Sequence, residues 1–251
     1  KSCDLPGIFL ISGASRVSMS CFPYKDGDLV RQRSPAGKIR AIRRAQLIAK
    51  QATLGYGLNV LEIGCGTGLF TEMFSQYGSS ITALDVSADV LAHARLRGLS
   101  PKQVQFINEP IEEYAPDILF DAVIGSSILH HLDVEYALKR IYNLLLPGGK
   151  LSLAEPNMLN PQVYLEHKLR FLPMFWYISP DEIAFVRWRL KRLMKKVGFE
   201  SIIIQPFDWL HPSTPRYMIN IVSKLGSMVE SMPLLREFSG SLLIYGRRPL
   251  N

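Results

Sequence analysis

The order of apolar and polar residues predicts strands and helices that alternate along most of the chain. Short apolar runs bounded by glycine, proline or polar residues indicate strands, and apolar residues three or four positions apart indicate helices. Such alternation is typical of an α/β fold with a mainly parallel sheet. The predicted strands are 60–63, 81–85, 104–107, 121–125, 150–154, 201–204 and 241–245. The predicted helices are 37–52, 87–98, 133–146 and 179–198, with one more from Thr214.

The first predicted strand runs into a glycine-rich turn, and a helical pattern follows at Leu69. Gly64, Gly66 and Gly68 stand at alternate positions, so backbone can approach a ligand closely while the helix N-terminus offers N–H groups. The second strand ends at Asp85, 17 residues after the last glycine. That distance suits a carboxylate that binds ribose hydroxyls, for which nucleotide folds have a spacing of about 20. The pair predicts a nucleotide-like ligand at the carboxyl ends of the strands.

The glycine run resembles that of the class I S-adenosylmethionine-dependent methyltransferases. It reads Gly-x-Gly-x-Gly, whereas dinucleotide-binding folds carry Gly-x-Gly-x-x-Gly. The acid Glu62 and the stretches 120–132 and 146–151 agree with the same family, and the resemblance covers residues 55–157. It implies a seven-stranded Rossmann-like methyltransferase sheet, mostly parallel with an antiparallel last strand, and helices on both faces. A nicotinamide-dependent dehydrogenase or a chance glycine turn is the alternative.

The resemblance also implies S-adenosyl-L-methionine as cofactor and S-adenosyl-L-homocysteine as its product. Asp85 is expected to bind the ribose, Val86 to pack on the adenine, and Glu62 to hold the glycine turn or the cofactor's amino group. The family's common Gly-Asp pair after the third strand is missing, and Pro110 stands in the acid's place, so Asn108 or Glu109 takes over the adenine contact. The full set of expected cofactor-binding residues is Glu62, Gly64, Cys65, Gly66, Gly68, Asp85, Val86, Asn108, Glu109 and Ser126.

Two histidines and one glutamate are the candidates for proton transfer. His130 and His131 follow the fourth strand, and Glu155 follows the fifth. In similar small-molecule methyltransferases one such histidine faces the acceptor, and imidazole accepts a proton near neutral pH. Glu155 is expected to act as a base or to orient the histidine. The alternatives are that the histidines only begin a helix and that Glu155 serves in a cap or a salt bridge.

Residues 1–54 are predicted to form an N-terminal segment with one helix, and residues 55–251 a single methyltransferase domain. The helix covers the cofactor in the related family, but its lysines and arginines favour a solvated basic face on a packing helix. The lid-like segments 158–178 and 206–240 are predicted to form the acceptor pocket, since long insertions at a sheet end are usually functional. The expected pocket residues are Trp176, Tyr177, Trp209 and His211.

Composition limits the partners and the compartment. A formal net charge of +7 favours anionic partners: nucleic acid, a phospholipid surface, or an acidic or phosphorylated small molecule. No apolar run approaches the roughly 18 residues of a membrane span, although peripheral membrane contact stays open. The three cysteines form no disulfide framework, which favours a cytoplasmic location. Metal-ligand spacing is absent, so no metal is expected.

Together these features predict a methyltransferase that acts on oxygen of a small molecule such as a sugar, a lipid-linked acceptor or another metabolite. The stretches 209–215 and 233–244 resemble bacterial small-molecule methyltransferases found among cell-surface glycan enzymes. The Asn-Pro-Pro-Tyr type of motif that precedes aromatic-amine targets is absent after the fourth strand, which disfavours base methylation. Two alternatives are an RNA methyltransferase that uses the basic residues 187–196, and a non-catalytic cofactor-binding protein on the same fold.

Overall fold

The computed structural model describes residues 34–168 and 186–250. Strands and helices alternate through the first half of this range, as the apolar pattern predicts. The strands are β1 (Asn59–Ile63), β2 (Ser80–Leu84), β3 (Val104–Ile107), β4 (Phe120–Ser126), β5 (Leu145–Pro156), β6 (Glu200–Phe207) and β7 (Ser241–Arg247). The helices are α1 (Pro35–Ala52), α2 (Leu69–Ser75), α3 (Ala88–Arg95), α4 (Val134–Leu144), α5 (Pro161–Lys168), α6 (Arg187–Val197) and α7 (Ile219–Glu230). Short 3₁₀ turns lie at Leu129–His131, Arg216–Met218 and Leu235–Phe238.

The seven strands form one sheet in the order β3-β2-β1-β4-β5-β7-β6. The first five strands pair in parallel, and β7 runs antiparallel to both β5 and β6. Ser241 at the start of β7 pairs with Pro156 and with Phe207, so the chain between β6 and β7 leaves and returns at the carboxyl edge. This order confirms the predicted fold class, including the antiparallel last strand.

Both faces of the sheet are covered by helices, because successive side chains of a strand point to opposite sides. On one face α4 and α6 bury Leu138, Ile141 and Met194 against strand residues such as Leu61 and Val123. The other face is covered by α1, α2 and α3, whose buried residues there are Ala45, Ile48, Ala49, Ala52, Phe74, Leu91 and Ala94. The small alanines of α1 allow this helix to lie close to the sheet.

The largest differences from the predicted boundaries concern β5 and the helix after β6. The strand β5 begins at Leu145 and includes Pro147–Gly149, because a bulge between Phe120 and Ala122 lets it pair with β4 before Lys150. The helix expected from Thr214 starts with a 3₁₀ turn and becomes α-helical at Ile219. The predicted start of helix 179–198 lies outside the described residues. In the described part of the chain, no helix is long and apolar enough to span a membrane.

One glycine in the middle of the sheet lets β1 and β4 lie side by side next to the glycine turn. Gly125 pairs with Ile63, the last residue of β1. A Cβ atom at this position would lie 2.8 Å from the carbonyl oxygen of Ile63 and 3.1 Å from Cγ2 of Ile128. The first neighbour is backbone inside a paired strand, so it has little freedom to move aside.

We therefore expect Gly125→Ala to lower the free energy of unfolding by about 1–3 kcal/mol, the usual cost of overpacking a core. Urea denaturation followed by circular dichroism measures this change. Gly55→Ala is the matched control, because a Cβ there meets nothing within 4 Å and the residue has no positive φ. The control should leave stability unchanged or raise it by up to about 1 kcal/mol. Equal midpoints for Gly125→Ala and the unmodified protein would contradict the packing argument.

Candidate active site

The glycine turn between β1 and α2 has the backbone that only glycine adopts readily. Gly64, Gly66 and Gly68 have φ values of +65°, +55° and +72°. A Cβ on Gly64 would also lie 2.5 Å from Cγ1 of Ile128, whereas the space beside Gly66 is open. Gly68 is the N-cap of α2, and a Cβ there would lie 3.1 Å from Cβ of Ala94, so this glycine lets the turn pack closely against α3. The turn is open to a ligand at its middle glycine.

Glu62 lies beneath this turn and is a buried acid with an unsatisfied oxygen. It is 2% exposed, and its Oε2 atom has no hydrogen-bond partner among the described residues. Burial, and to a smaller extent the charge of Asp85, raise the pKa of Glu62 to about 8. The nearby Thr71 hydroxyl lowers the pKa of Glu62 and so opposes part of this rise. The two side chains are not positioned for a regular hydrogen bond. A cationic partner would stabilise the ionised form of such a group.

The carboxylate of Asp85 bridges the glycine turn and the start of α3. Its Oδ2 atom accepts a hydrogen bond from the Gly66 N–H at 2.8 Å, and Oδ1 accepts one from the Ser87 N–H at 3.0 Å. Val86 is 49% exposed beside it, and Nδ2 of Asn108 donates to the Asp85 carbonyl oxygen at 2.9 Å. Glu109 is exposed at the end of β3. These positions place the predicted ribose and adenine contacts next to each other.

Two further predicted cofactor residues are held by the protein itself. The Cys65 side chain is buried, its N–H donates to the Leu84 carbonyl oxygen at 2.9 Å, and burial raises the pKa of its thiol far above the usual range. Cys65 therefore contributes its backbone to the turn and stays an unreactive thiol. The hydroxyl of Ser126, at the end of β4, accepts a hydrogen bond from Arg44 at 3.2 Å.

Glu155 and His130 form a buried pair at the carboxyl ends of β5 and β4. The Oε2 atom of Glu155 lies 2.6 Å from Nδ1 of His130, and Oε1 accepts hydrogen bonds from the N–H groups of Ile128 and Leu129. Burial would raise the pKa of Glu155, but the charge and hydrogen bond of His130 and the two backbone donors outweigh it, so the pKa is lowered. An ionised Glu155 accepts the proton of His130 Nδ1, which leaves the basic lone pair of the neutral imidazole on Nε2.

His131 differs from its neighbour in position and in basicity. Its ring keeps an accessible side, and its centroid lies 4.0 Å from that of His130. Crowding of the ring by protein atoms, followed by the neighbouring imidazole, lowers the pKa of His131 to about 4. Such an imidazole is neutral at pH 7 but is a weak proton acceptor. The contact with Glu155 orients the His130 ring, whereas His131 is the more exposed of the two histidines.

Three arginines of α1 connect this edge of the sheet to the chain between β6 and β7. Arg40 Nε lies 2.7 Å from Asp208 Oδ2, and Arg43 makes a two-bond ion pair with Glu230. Arg44 donates from Nη1 to the hydroxyls of Ser126 and Ser127 and from Nη2 to that of Ser241, which lies 2.7 Å away. Burial lowers the pKa of Arg44 to about 10, which still leaves the side chain charged at neutral pH.

These contacts correct the interpretation of α1 as a packing helix with a solvated basic face. The Arg40 and Arg44 side chains are only 20% and 14% exposed and point into the carboxyl edge. Sequence reasoning missed Arg44 and Asp208 as site residues, because their partners lie more than 80 residues away in the chain. The one local signal was the spacing of Arg40, Arg43 and Arg44, which lie on the same side of a helix.

The insertion between β6 and β7 lies at the same carboxyl edge as the glycine turn. Trp209 lines a cleft of about 90 Å³ between α1 and α7, and its Nε1 atom is buried without a hydrogen-bond partner in the part of the chain that the structure describes. His211 follows in the same loop and accepts a hydrogen bond from the Ser213 N–H at 3.2 Å. Trp176 and Tyr177 lie outside the described residues. The other residues of the cleft are Ile39, Arg40, Arg43, Asp208, Leu210, Val222, Ser223, Gly226 and Ser227.

The residues at this edge fit S-adenosylmethionine. The unsatisfied Oε2 of Glu62 suits a cation such as the ammonium group of the methionine part. The Asp85 carboxylate suits the ribose hydroxyls, and the exposed Val86 side chain suits an adenine face. The open side of Gly66 lets the ligand lie against the backbone. These features lie in one region, at the ends of β1 and β2.

Comparisons with known proteins agree with this fit. The family described as methyltransferase domain matches residues 61–153. A ubiquinone biosynthesis O-methyltransferase from Xanthomonas oryzae pv. oryzae is 37% identical over 142 residues, which are 51% of this chain and 59% of the relative. The chain therefore spans less than two thirds of that relative's length. The enzyme of the same description from Bradyrhizobium sp. (strain ORS 278) is 32% identical over 66% of this chain and 70% of its own length.

A solved structure gives the same result for the fold. A methyltransferase from Thermotoga maritima, described as S-adenosylmethionine-dependent and a possible histamine N-methyltransferase, superimposes with a TM-score of 0.64. It is 20% identical, and the match covers 90% of this chain and 94% of that one. Together with the Bradyrhizobium relative, this match agrees with the topology and the glycine turn described above. The chain belongs to the class I S-adenosylmethionine-dependent methyltransferases, and its cofactor is S-adenosylmethionine.

Proposed function

We propose that this protein transfers a methyl group from S-adenosylmethionine to a hydroxyl group of a small molecule. The observation that carries the proposal is the buried pair of Glu155 and His130, at the sheet edge that also holds Asp85 and the glycine turn. The two relatives described as O-methyltransferases support oxygen as the acceptor atom. A sugar, a lipid-linked molecule or another hydroxylated metabolite fits this chemistry.

The carboxyl edge of β1 and β2 holds the cofactor in this proposal. Asp85 orders the glycine turn through the Gly66 N–H and accepts hydrogen bonds from the ribose, while Glu62 accepts one from the ammonium group. When bound, the cofactor supplies an electrophilic methyl group, so the protein has to position the acceptor and remove its proton. Positioning lowers a barrier by up to about 7–11 kcal/mol, and a general base contributes typically 10²–10⁴-fold.

His130 removes the acceptor proton. Glu155 accepts the hydrogen bond of the His130 Nδ1–H, so Nε2 is the atom that takes up the proton. The negative charge of Glu155 then stabilises the imidazolium that forms. The two backbone N–H groups on Oε1 keep Glu155 ionised and fix its orientation. Because these partners are already in place, little free energy is spent on reorganising the site when the proton moves to His130.

Removal of the Asp85 carboxylate should weaken cofactor binding. Asp85→Ala deletes the acceptor of the Gly66 N–H as well as the ribose contact, so we expect a loss of about tenfold or more in affinity for S-adenosylhomocysteine. Isothermal titration calorimetry measures it. Asp89→Ala is the control, because Asp89 is an exposed acid in the first turn of α3. An unchanged dissociation constant for Asp85→Ala would remove this residue from the site.

Replacement of Glu62 by glutamine should change how stability depends on pH. The folded-state pKa of about 8 lies above the ordinary value of 4.5, so the native state binds the extra proton between these values. The stability contribution of Glu62 is therefore complete below pH 4.5 and is lost as pH rises to 8, a loss on the order of a few kcal/mol. The amide of the Glu62→Gln variant cannot ionise, so the variant should not share this loss.

The measurement is urea denaturation of the ligand-free protein at several pH values between 4.5 and 8.5. The unmodified protein should lose stability relative to Glu62→Gln as pH rises, and the variant should bind S-adenosylhomocysteine more weakly because the ammonium contact is gone. Two stability curves that stay parallel over this range would show that Glu62 ionises as readily in the folded protein as in the unfolded one.

The two histidines should differ in their effect on turnover. His130→Gln should lower the rate of methyl transfer to a hydroxyl acceptor by about 10²–10⁴-fold, with little change in cofactor affinity. His131→Gln should reduce it only a few-fold, because a base with a pKa of about 4 takes up little of the acceptor's proton. Release of S-adenosylhomocysteine reports the rate. If both single variants and the double variant turn over nearly as fast as the unmodified protein, histidine is not the base, and Glu155 is the remaining candidate.

A panel of sugars, lipids, phenols and RNA tests the acceptor class at the same time. Lys191→Gln with Lys195→Gln serves as a further control, since both lysines are exposed on α6, on the basic stretch considered for RNA. The pair of substitutions should leave small-molecule methylation unchanged. Methyl transfer to RNA that falls with these two changes, and not with His130→Gln, would replace the proposal by the RNA reaction.

A further inference from the structure

The side chain of Arg44 reaches from α1 to the carboxyl end of β4 and to the first residue of β7. Its Nη1 atom lies 3.2 Å and 3.0 Å from the hydroxyls of Ser126 and Ser127, and Nη2 lies 2.7 Å from that of Ser241. The strands β4, β5 and β7 are adjacent in the sheet, so the guanidinium group lies across the end of β5. The side chain is 14% exposed. A charged group is thus largely removed from water beside the Glu155–His130 pair.

The hydrogen-bond partners of this cation are all neutral. A guanidinium has five N–H donors, and three of those of Arg44 go to serine hydroxyls. Its Nε–H and the second N–H of Nη2 have no acceptor among residues 34–168 and 186–250. The nearest carboxylate oxygen, Asp208 Oδ2, is 4.0 Å from Nη2 and is bound at 2.7 Å to Arg40 instead. Asp208 and Glu155 balance part of the positive charge from a distance, while two N–H donors of the guanidinium stay unused among these residues.

The surrounding backbone is shaped to keep the guanidinium in this position. Ser127 and Asp208 have φ values of +58° and +77°, although neither is glycine. Residues of this kind are rare in the left-handed region and are concentrated at functional sites. The Ser127 N–H is fixed by the Ala154 carbonyl oxygen at 2.8 Å, and Ser127 itself is exposed. A ligand therefore has access to the edge at which Arg44 is held.

The same turn connects Arg44 to the proposed base. Ser126 and Ser127 bind the arginine, and the next two residues, Ile128 and Leu129, donate their N–H groups to Glu155. His130 follows directly. Successive residues of one turn therefore hold both Arg44 and the Glu155–His130 pair. Planar guanidinium groups bind carboxylates and phosphates through paired hydrogen bonds.

We infer that Arg44 forms an anion subsite that selects acceptors carrying a carboxylate or phosphate group beside the hydroxyl to be methylated. The inference rests on the proposed methyl transfer, and it narrows its substrate class to acidic small molecules. The excess of basic residues in the chain agrees with such a partner. Arg44 binds and orients the acceptor, whereas His130 takes its proton.

The competing interpretation is that Arg44 only fastens α1 to the sheet. In that case its replacement would weaken every ligand or the fold itself, without regard to ligand charge. Binding of a charged and a neutral probe of equal shape separates the two interpretations. 3,4-Dihydroxybenzoate and 3,4-dihydroxybenzamide form such a pair, since both carry the same two hydroxyls and only the first is an anion at pH 7.5.

The experiment uses calorimetric titration of each probe into the full chain saturated with S-adenosylhomocysteine. The unmodified protein should bind the acid about tenfold or more tightly than the amide, since a hydrogen bond to a charged group has about this effect. Arg44→Gln should abolish the preference by weakening the acid alone. Lys38→Gln, which removes an exposed charge from the same helix, should keep it. Arg44→Lys keeps the positive charge but lacks the planar guanidinium group, so it should retain part of the preference for the acid.

Competition with inorganic phosphate identifies the source of the anion. Displacement of the acid by phosphate indicates a phosphate-accepting subsite, and lack of displacement indicates a carboxylate subsite. Either of two results overturns the inference. The first is a preference for the acid that persists in both Arg44 variants, and the second is equal binding of acid and amide by the unmodified protein. Should Arg44→Gln fail to fold, Arg44→Lys decides, because a structural role predicts equal losses for both probes. Binding is measured without methyl transfer, so the result stands apart from the proposed reaction.

Discussion

The buried carboxylate of Glu155 is the group on which the carboxyl edge of this sheet depends. It lies near the end of β5, accepts two backbone N–H groups from the turn after β4 and holds Nδ1 of His130, so one side chain fixes the path of three consecutive residues. A carboxylate without these partners would be costly to bury. The register of β4 and β5 brings the partners within reach, and the histidine is oriented as a consequence of folding rather than of ligand binding.

The arginines of α1 solve a related problem on the other side of the same edge. Asp208 and Glu230 are largely buried, and each is paired with an arginine of the helix. Removing one partner of such a pair leaves an uncompensated charge, so the helix and the insertion depend on each other for stability. Helix α1 is thus part of the candidate site. Its arginines bind carboxylates of the insertion and are also candidates for binding a ligand.

Local pattern was sufficient to predict the sheet and the meeting of the glycine turn with Asp85 at one edge of it. The glycine run, Asp85 and the apolar stretches are contiguous signals, and the strands appear within a few residues of their expected limits. The length of β5 was missed, because a bulge opposite Phe120 and Ala122 is a property of strand pairing. The buried roles of Arg44 and Asp208 were missed for the same reason, since residues that are distant in the chain create their environment. The pairing of His130 with Glu155 followed from topology, which places the ends of neighbouring parallel strands together.

The pairing of Phe207 with Ser241 has a consequence for how this scaffold can diverge. The 33 residues between them start and finish at adjacent positions of two paired strands, so the strand pairing closes the loop. The entropic cost of closing a loop grows only slowly with its length, so the length of this segment can vary at little cost in stability. The glycine turn and Asp85, which are expected to bind the cofactor, follow β1 and β2 on the other side of the strand order. Exchange of this module would therefore leave the pairing of the strands that carry the glycine turn and Asp85 unchanged.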